Sequence, residues 1–403
     1  MKTARLVALV AATAVSGLVG CGPSTPPAEE PPPPPPPVSA PVAVTPPPPE
    51  PVKPVEPPPP TPEEKKKAED AKQLADDRAA MEVDTKAENE RWTPELHASA
   101  KALASAKYPN MKAALAAILA SKHRKPGAAD RDKYRHPKET LEAWGITPAS
   151  TVLEIGPGEG WFTEILAPAL ATRGKLMVTT GDPAGPADQR STFYAERLKR
   201  FLDRSPELYG KVDRVLFDAK APKLGLDGKV DVVLLSRALH GLHRDKLMTG
   251  VLAEVHKALK PGGILAIEQH RAKADANPDD AAKKGYLPEA WLIQQIEAAG
   301  FKLASKSEVN ANPKDTKDYE DGVWALPPTL RQKDKDRAKY VEIGESDRMT
   351  LKFTRVEAPG EKPAPKPAKK KLGHLTRAGV FPITPASGSI PRAWSTRRGA
   401  RRA

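Results

Sequence analysis

Glu154-Ile155-Gly156-Pro157-Gly158-Glu159-Gly160-Trp161 decides the fold. An apolar run, Thr151 to Ile155, leads into it, and a helical pattern from Trp161 to Ala171 leads out. Glycines let the backbone turn sharply and approach a ligand without Cβ contacts. The helix that follows begins with unpaired N–H groups. A dinucleotide loop spaces its glycines G-x-G-x-x-G. That spacing requires glycine at 161, where this chain has Trp161.

A β–α rhythm extends outward from this loop. Strands are expected at Lys175–Thr179, Val212–Phe217, Val230–Leu235, Ile264–Ile267, Phe301–Ser305 and Met349–Val356. Helices are expected at Pro137–Trp144, Ser191–Leu202, Arg244–Leu259 and Pro288–Ala299. Strands alternating with helices imply a mostly parallel sheet covered on both faces.

The E-x-G-x-G-x-G spacing resembles motif I of class I S-adenosylmethionine-dependent methyltransferases. The stretch VDVVLLSRALHGL from Val230 and the turn Leu259-Lys-Pro-Gly-Gly-Ile-Leu265 resemble later landmarks of that family, in its order. The resemblance implies a Rossmann-like fold with a seven-stranded sheet and S-adenosylmethionine as cofactor. It implies that Glu154, Gly156, Gly158 and Gly160 form the cofactor loop, with Ser236 nearby after the fourth strand. Asp182 would accept hydrogen bonds from the ribose and Asp218 from the adenine amino group. Tyr134 to Leu141, Gly158 to Pro168 and Glu268 to Ala272 are also similar to a family of predicted exported bacterial methyltransferases, over about residues 125–356.

Ligands of open α/β sheets bind beyond the carboxyl ends of the strands. Ser236, Arg237, His240 and His243 follow the fourth strand, and Glu268, His270 and Arg271 follow the fifth. Tyr134, Arg135 and His136 are placed to fold over the mouth. His270 and His240 are the candidate catalytic bases, because imidazole titrates near neutral pH. His240-x-x-His243 with His270 and Glu268 contains possible metal ligands but no specific metal spacing, so no metal site is expected.

The flanks are of another kind. Residues 1–21 combine Lys2 and Arg5 with an apolar stretch too short to span a bilayer as a mature helix. They end Leu18-Val19-Gly20-Cys21, which resembles a bacterial lipobox and implies cleavage before Cys21 and acylation of that residue; the alternative is a plain secretory signal. The expected location is the cell envelope, lipid-anchored, with Gly22 favouring the outer membrane. Of the 46 prolines, 22 lie between Pro23 and Pro62. Proline fixes φ and lacks an N–H, so 22–62 is expected to be an extended tether, reaching roughly 120 Å at ~3.1 Å per residue. Residues 63–124 are expected to form a charged, Ala-rich helical extension and 125–357 the methyltransferase-like domain.

Between 358 and 403, eleven Lys or Arg face Glu361 alone, so ten of the thirteen net positive charges belong to this tail. The fold itself is near neutral, and no nucleic-acid partner is expected. The tail is expected to be disordered, either touching anionic lipid or cell-wall polymer through its charge or merely solvated. The methyl acceptor and the oligomeric state are not legible. The expected function is methyl transfer to an unidentified acceptor. The alternative is a non-catalytic envelope protein that reuses the fold for binding, since S-adenosylmethionine is made in the cytoplasm.

Overall fold

The computed structural model describes residues 60–357. Cys21, nearly all of the expected tether and the basic tail lie outside the described residues.

The described chain opens with α1 (Pro62–Arg91), which is solvated along most of its length. Its start is fixed by a capping box, in which Thr61 and Glu64 satisfy each other's backbone N–H. Only Leu74, Met81 and Glu88 are buried along it. Helices α2 (Pro94–Ser105) and α3 (Met111–Leu119) follow on either side of Pro109 and bury Ala100, Ala104, Met111, Ala114, Leu115 and Ile118. A short α4 (Asp132–Arg135) leads into α5 (Pro137–Trp144), with His136 between them in the left-handed region.

The core then follows as β1 (Thr151–Ile155), α6 (Thr163–Leu170), β2 (Lys175–Thr180), α7 (Arg190–Asp203), α8 (Pro206–Tyr209), β3 (Asp213–Leu216) and β4 (Val230–Ser236). Next come α9 (Leu239–Arg244), α10 (Met248–Ala258), β5 (Leu259–His270), α11 (Pro278–Lys283), α12 (Glu289–Ala298), β6 (Phe301–Ser307), α13 (Arg337–Ile343) and β7 (Arg348–Arg355).

The seven strands form one sheet in the order β3-β2-β1-β4-β5-β7-β6. All neighbours are parallel except β7, which runs antiparallel to both β5 and β6. This is the Rossmann-like, mostly parallel sheet expected from the sequence. Alternation distributes the strand side chains between two cores. Val152, Val178, Val232 and Leu234 join the core under α2, α3, α5, α6 and α7. Leu153, Met177, Val233 and Leu235 join the core under α10 and α12. Burial on both faces explains why β1 and β4 read as largely apolar runs rather than as alternating ones, with Glu154 and Asp231 as their charged interruptions.

Two expected boundaries are corrected. The helix expected over Arg244–Leu259 is two helices: Arg244 ends α9, Lys246 takes φ 59° in the turn, and α10 starts at Met248. The fifth strand is longer than its apolar segment, because Leu259 already pairs with Val230 before a register shift.

The extension docks on α6 through its last residues. Pro168 lies inside α6 and lacks the N–H that would bond the Glu164 carbonyl four residues back. His123 Nε2 takes that carbonyl at 2.9 Å. Arg124 Nε and the Lys125 backbone N–H both donate to the Glu164 carboxylate, at 2.9 and 3.0 Å.

Candidate functional site

The glycine loop sits where β1 meets α6, at the carboxyl edge of the sheet. Gly156, Gly158 and Gly160 all have positive φ, at 65°, 61° and 80°. A Cβ on Gly156 or Gly158 would meet nothing within 4 Å, whereas one on Gly160 would lie 2.7 Å from the Phe201 ring. The first two glycines therefore keep an open cradle, and the third lets the loop close on α7. The Gly156 N–H donates to Thr179 Oγ1 at 2.9 Å, tying the loop to β2. Such a cradle fits the amino-acid end of S-adenosylmethionine, which brings no pyrophosphate to be neutralised.

Glu154 is turned inward beneath the loop. It is buried, and its Oε2 accepts a hydrogen bond from Thr163 Oγ1 at 2.7 Å. Burial pushes its carboxyl up to about 7 against the opposing effects of Thr163 and Arg237. This residue positions the loop from below. Trp161 is also structural: its Nε1 donates to the Ala128 carbonyl, and its ring lies under the guanidinium of Arg135 at 4.9 Å.

Asp182 and Asp218 both lie exposed beyond strand ends, after β2 and β3. Each spends Oδ1 on its own turn: Asp182 accepts from Ala184 N at 2.8 Å and Asp218 from Lys220 N at 2.9 Å. Both follow parallel strands, at the same carboxyl edge of the sheet as the glycine loop.

Ser236, the last residue of β4, donates from Oγ to Glu268 Oε2 at 2.8 Å. Arg237 follows in the left-handed region at φ 56° and binds the same oxygen at 2.5 Å. On α9, His240 Nδ1 lies 3.3 Å from Gln269 Nε2. His270 Nδ1 is 2.5 Å from Ser346 Oγ. The two expected bases come together, with ring centroids 5.9 Å apart. Trp324 flanks His240 and Tyr286 flanks His270. Burial holds His240 down at about 4 and His270 well below the usual imidazole range, where neighbouring His240, Arg348 and Arg237 depress it further. Both rings are therefore neutral at pH 7. His243 turns away, pairing with Asp279 at 2.8 Å and packing on Trp291.

Several residues that the sequence did not single out complete this edge. Because β7 is antiparallel, its first residue, Arg348, pairs with His270, the last of β5. Arg348 then reaches Glu268 Oε1 at 2.7 Å and Glu345 Oε2 at 2.5 Å. Arg131 also binds Glu345, at Oε1 and 2.6 Å, and Arg135 shares Oε2 at 3.1 Å. These guanidiniums hold the Glu345 carboxyl down at about 2 despite its burial. The antiparallel placement of the last strand was the available signal: it brings Glu345-Ser346-Asp347-Arg348 to the carboxyl edge.

Residues 153–265 match the family model described as a methyltransferase domain, a match covering less than half of the chain. No curated protein matches the sequence. Among solved structures, a SAM-dependent methyltransferase from Aquifex aeolicus is 18% identical, covering 58% of this chain and 94% of that one, with a TM-score of 0.38. The [4+2]-cyclase SpnF is 16% identical over 59% of this chain and 86% of its own, with a TM-score of 0.39. The 1,6-didemethyltoxoflavin-N1-methyltransferase of Burkholderia thailandensis, solved with S-adenosylhomocysteine, is 16% identical over 57% and 80%, with a TM-score of 0.36. Residues 153–265 are thus similar to a methyltransferase domain.

Proposed function

We propose that the protein transfers a methyl group from S-adenosylmethionine to a small acceptor held over the ends of β4 and β5, and that it does so as an envelope-anchored lipoprotein. The observation that carries the enzymatic reading is the open cradle at Gly156 and Gly158, in a methyltransferase domain, with two neutral imidazoles at the same edge. The lipobox-like ending at Cys21 supports the anchoring.

When bound, S-adenosylmethionine supplies an electrophilic methyl on a sulfonium. The protein's part is to position and desolvate the acceptor. The cradle receives the amino-acid end, and Asp182 and Asp218 offer their outer oxygens to the ribose and the adenine. His240 and His270 are weak bases in their buried surroundings. They suit an acceptor that releases its proton only as the new bond forms. Trp324 packs edge-on against His240 and Tyr286 against His270, which fixes the two rings.

Thermal unfolding of the full chain with S-adenosylhomocysteine, and separately with NAD, tests the reading. A ligand that binds only the folded state raises the midpoint. S-adenosylhomocysteine is expected to raise it and NAD to leave it unchanged. A shift with NAD alone contradicts the proposal.

A further inference from the structure

This inference deepens the methyl-transfer reading and rests on it. Four guanidiniums, those of Arg131, Arg135, Arg237 and Arg348, converge on the carboxylates of Glu268 and Glu345. Glu268, Glu345, Arg135 and Arg348 have side chains no more than 4% exposed, whereas Arg131 and Arg237 are each 22% exposed. Four cations against two anions leave two positive charges unmatched. His240 and His270 are neutral there and do not alter the balance. Glu154 also acts on Arg237, yet even full ionisation would leave one charge over. The adjacent acids Asp347, Glu289 and Glu308 are taken up by Arg271, Lys306 and Lys317.

Unmatched charge away from water is costly unless an anion joins it. The two partly open members are the ones an anion can reach. Arg131 and Arg237 also repel each other electrostatically. Arg237 holds its place at a positive φ, a strained conformation that bulky side chains rarely keep without a reason. The cluster also meets the cofactor loop, because Arg135 lies over Trp161, directly after Gly160.

We infer that Arg237 and Arg131 bind an anionic group, a carboxylate or a phosphate, on the methyl acceptor and hold it beside His240 and His270. The acceptor is then an acidic small molecule. Guanidinium pairs with such anions through charge-assisted, often bidentate hydrogen bonds.

The test uses the full chain, with sulfate and acetate as probes replacing chloride at constant ionic strength, and reads the unfolding midpoint. The wild type should show a saturable rise with saturating S-adenosylhomocysteine present. Arg237→Gln and the less buried Arg131→Gln should each weaken the probe by about ten-fold. No saturable rise beyond chloride, or an unchanged response in both variants, overturns the inference. If S-adenosylhomocysteine displaces sulfate while methylthioadenosine, which lacks the amino-acid end, does not, the charge serves the cofactor's own carboxylate and the acceptor assignment falls. If sulfate binds but S-adenosylhomocysteine does not, the anion site stands and the methyl-transfer reading is what fails.

Discussion

Glu154 Oε2 accepts a hydrogen bond from Thr163 Oγ1 at 2.7 Å, so a buried carboxyl on β1 clasps the first residue of α6 beneath the glycine loop. The folded carboxyl keeps its proton up to about pH 7, while its ordinary value is 4.5. Between these values the folded state binds more protons than the unfolded state, so stability falls as pH rises. The penalty is absent below about pH 4.5 and complete above about pH 7, where it reaches roughly 3 kcal/mol. Glu154→Gln can still accept from Thr163 but carries no charge. It should match the wild type near pH 5 and exceed it near pH 8 in urea unfolding. Parallel pH profiles for the two proteins would remove this account of Glu154.

The glycines should separate binding from folding. Gly156→Arg takes on left-handed strain but projects into open space, so it should abolish S-adenosylhomocysteine binding while the chain stays folded. Gly160→Ala drives a Cβ against Phe201 at positive φ and should destabilise the fold by roughly 2 kcal/mol. Circular dichroism melts beside binding isotherms distinguish the two; equal effects of both changes would contradict the division of roles.

Asp182→Asn keeps the side-chain oxygen that accepts from Ala184 N and removes the charge. Loss of charge-assisted hydrogen bonds to the ribose should weaken S-adenosylhomocysteine binding about ten-fold without lowering the melting midpoint. An unchanged dissociation constant would withdraw Asp182 from the cofactor site.

His123 Nε2 meets the carbonyl that Pro168 leaves unpaired, and burial holds this imidazole down at about 4, so it is neutral at pH 7. His123→Ala should destabilise the protein by about 1–3 kcal/mol. In a Pro168→Ala background, α6 regains its own N–H donor, and the same change should matter less. Additive effects in this double-mutant cycle would show that the two residues are not coupled.

The sheet and the loop were legible because they are local. A strand buried on both faces shows as an apolar run, and a tight turn shows as glycine spacing. The pairing of His240 with His270 was partly legible, since both follow neighbouring strands. The charge cluster was not. Arg131 is separated from Glu345 and Arg348 by more than two hundred residues of chain and meets them only because β7 enters the sheet antiparallel beside β5. Glu154 was legible as a motif residue, but its inward orientation depends on Thr163 and on burial that spacing does not reveal.

Cys21→Ser tests the anchor. The wild-type chain expressed in a Gram-negative host should partition with membranes and incorporate labelled fatty acid. The variant should do neither, and equal membrane retention would contradict acylation as the anchor.

Calorimetric titration of the full chain with S-adenosylmethionine and S-adenosylhomocysteine tests the central claim most directly. The account predicts saturable binding of both, at one site per chain, lost in Gly156→Arg. Absence of binding at millimolar ligand to folded wild-type protein would contradict it.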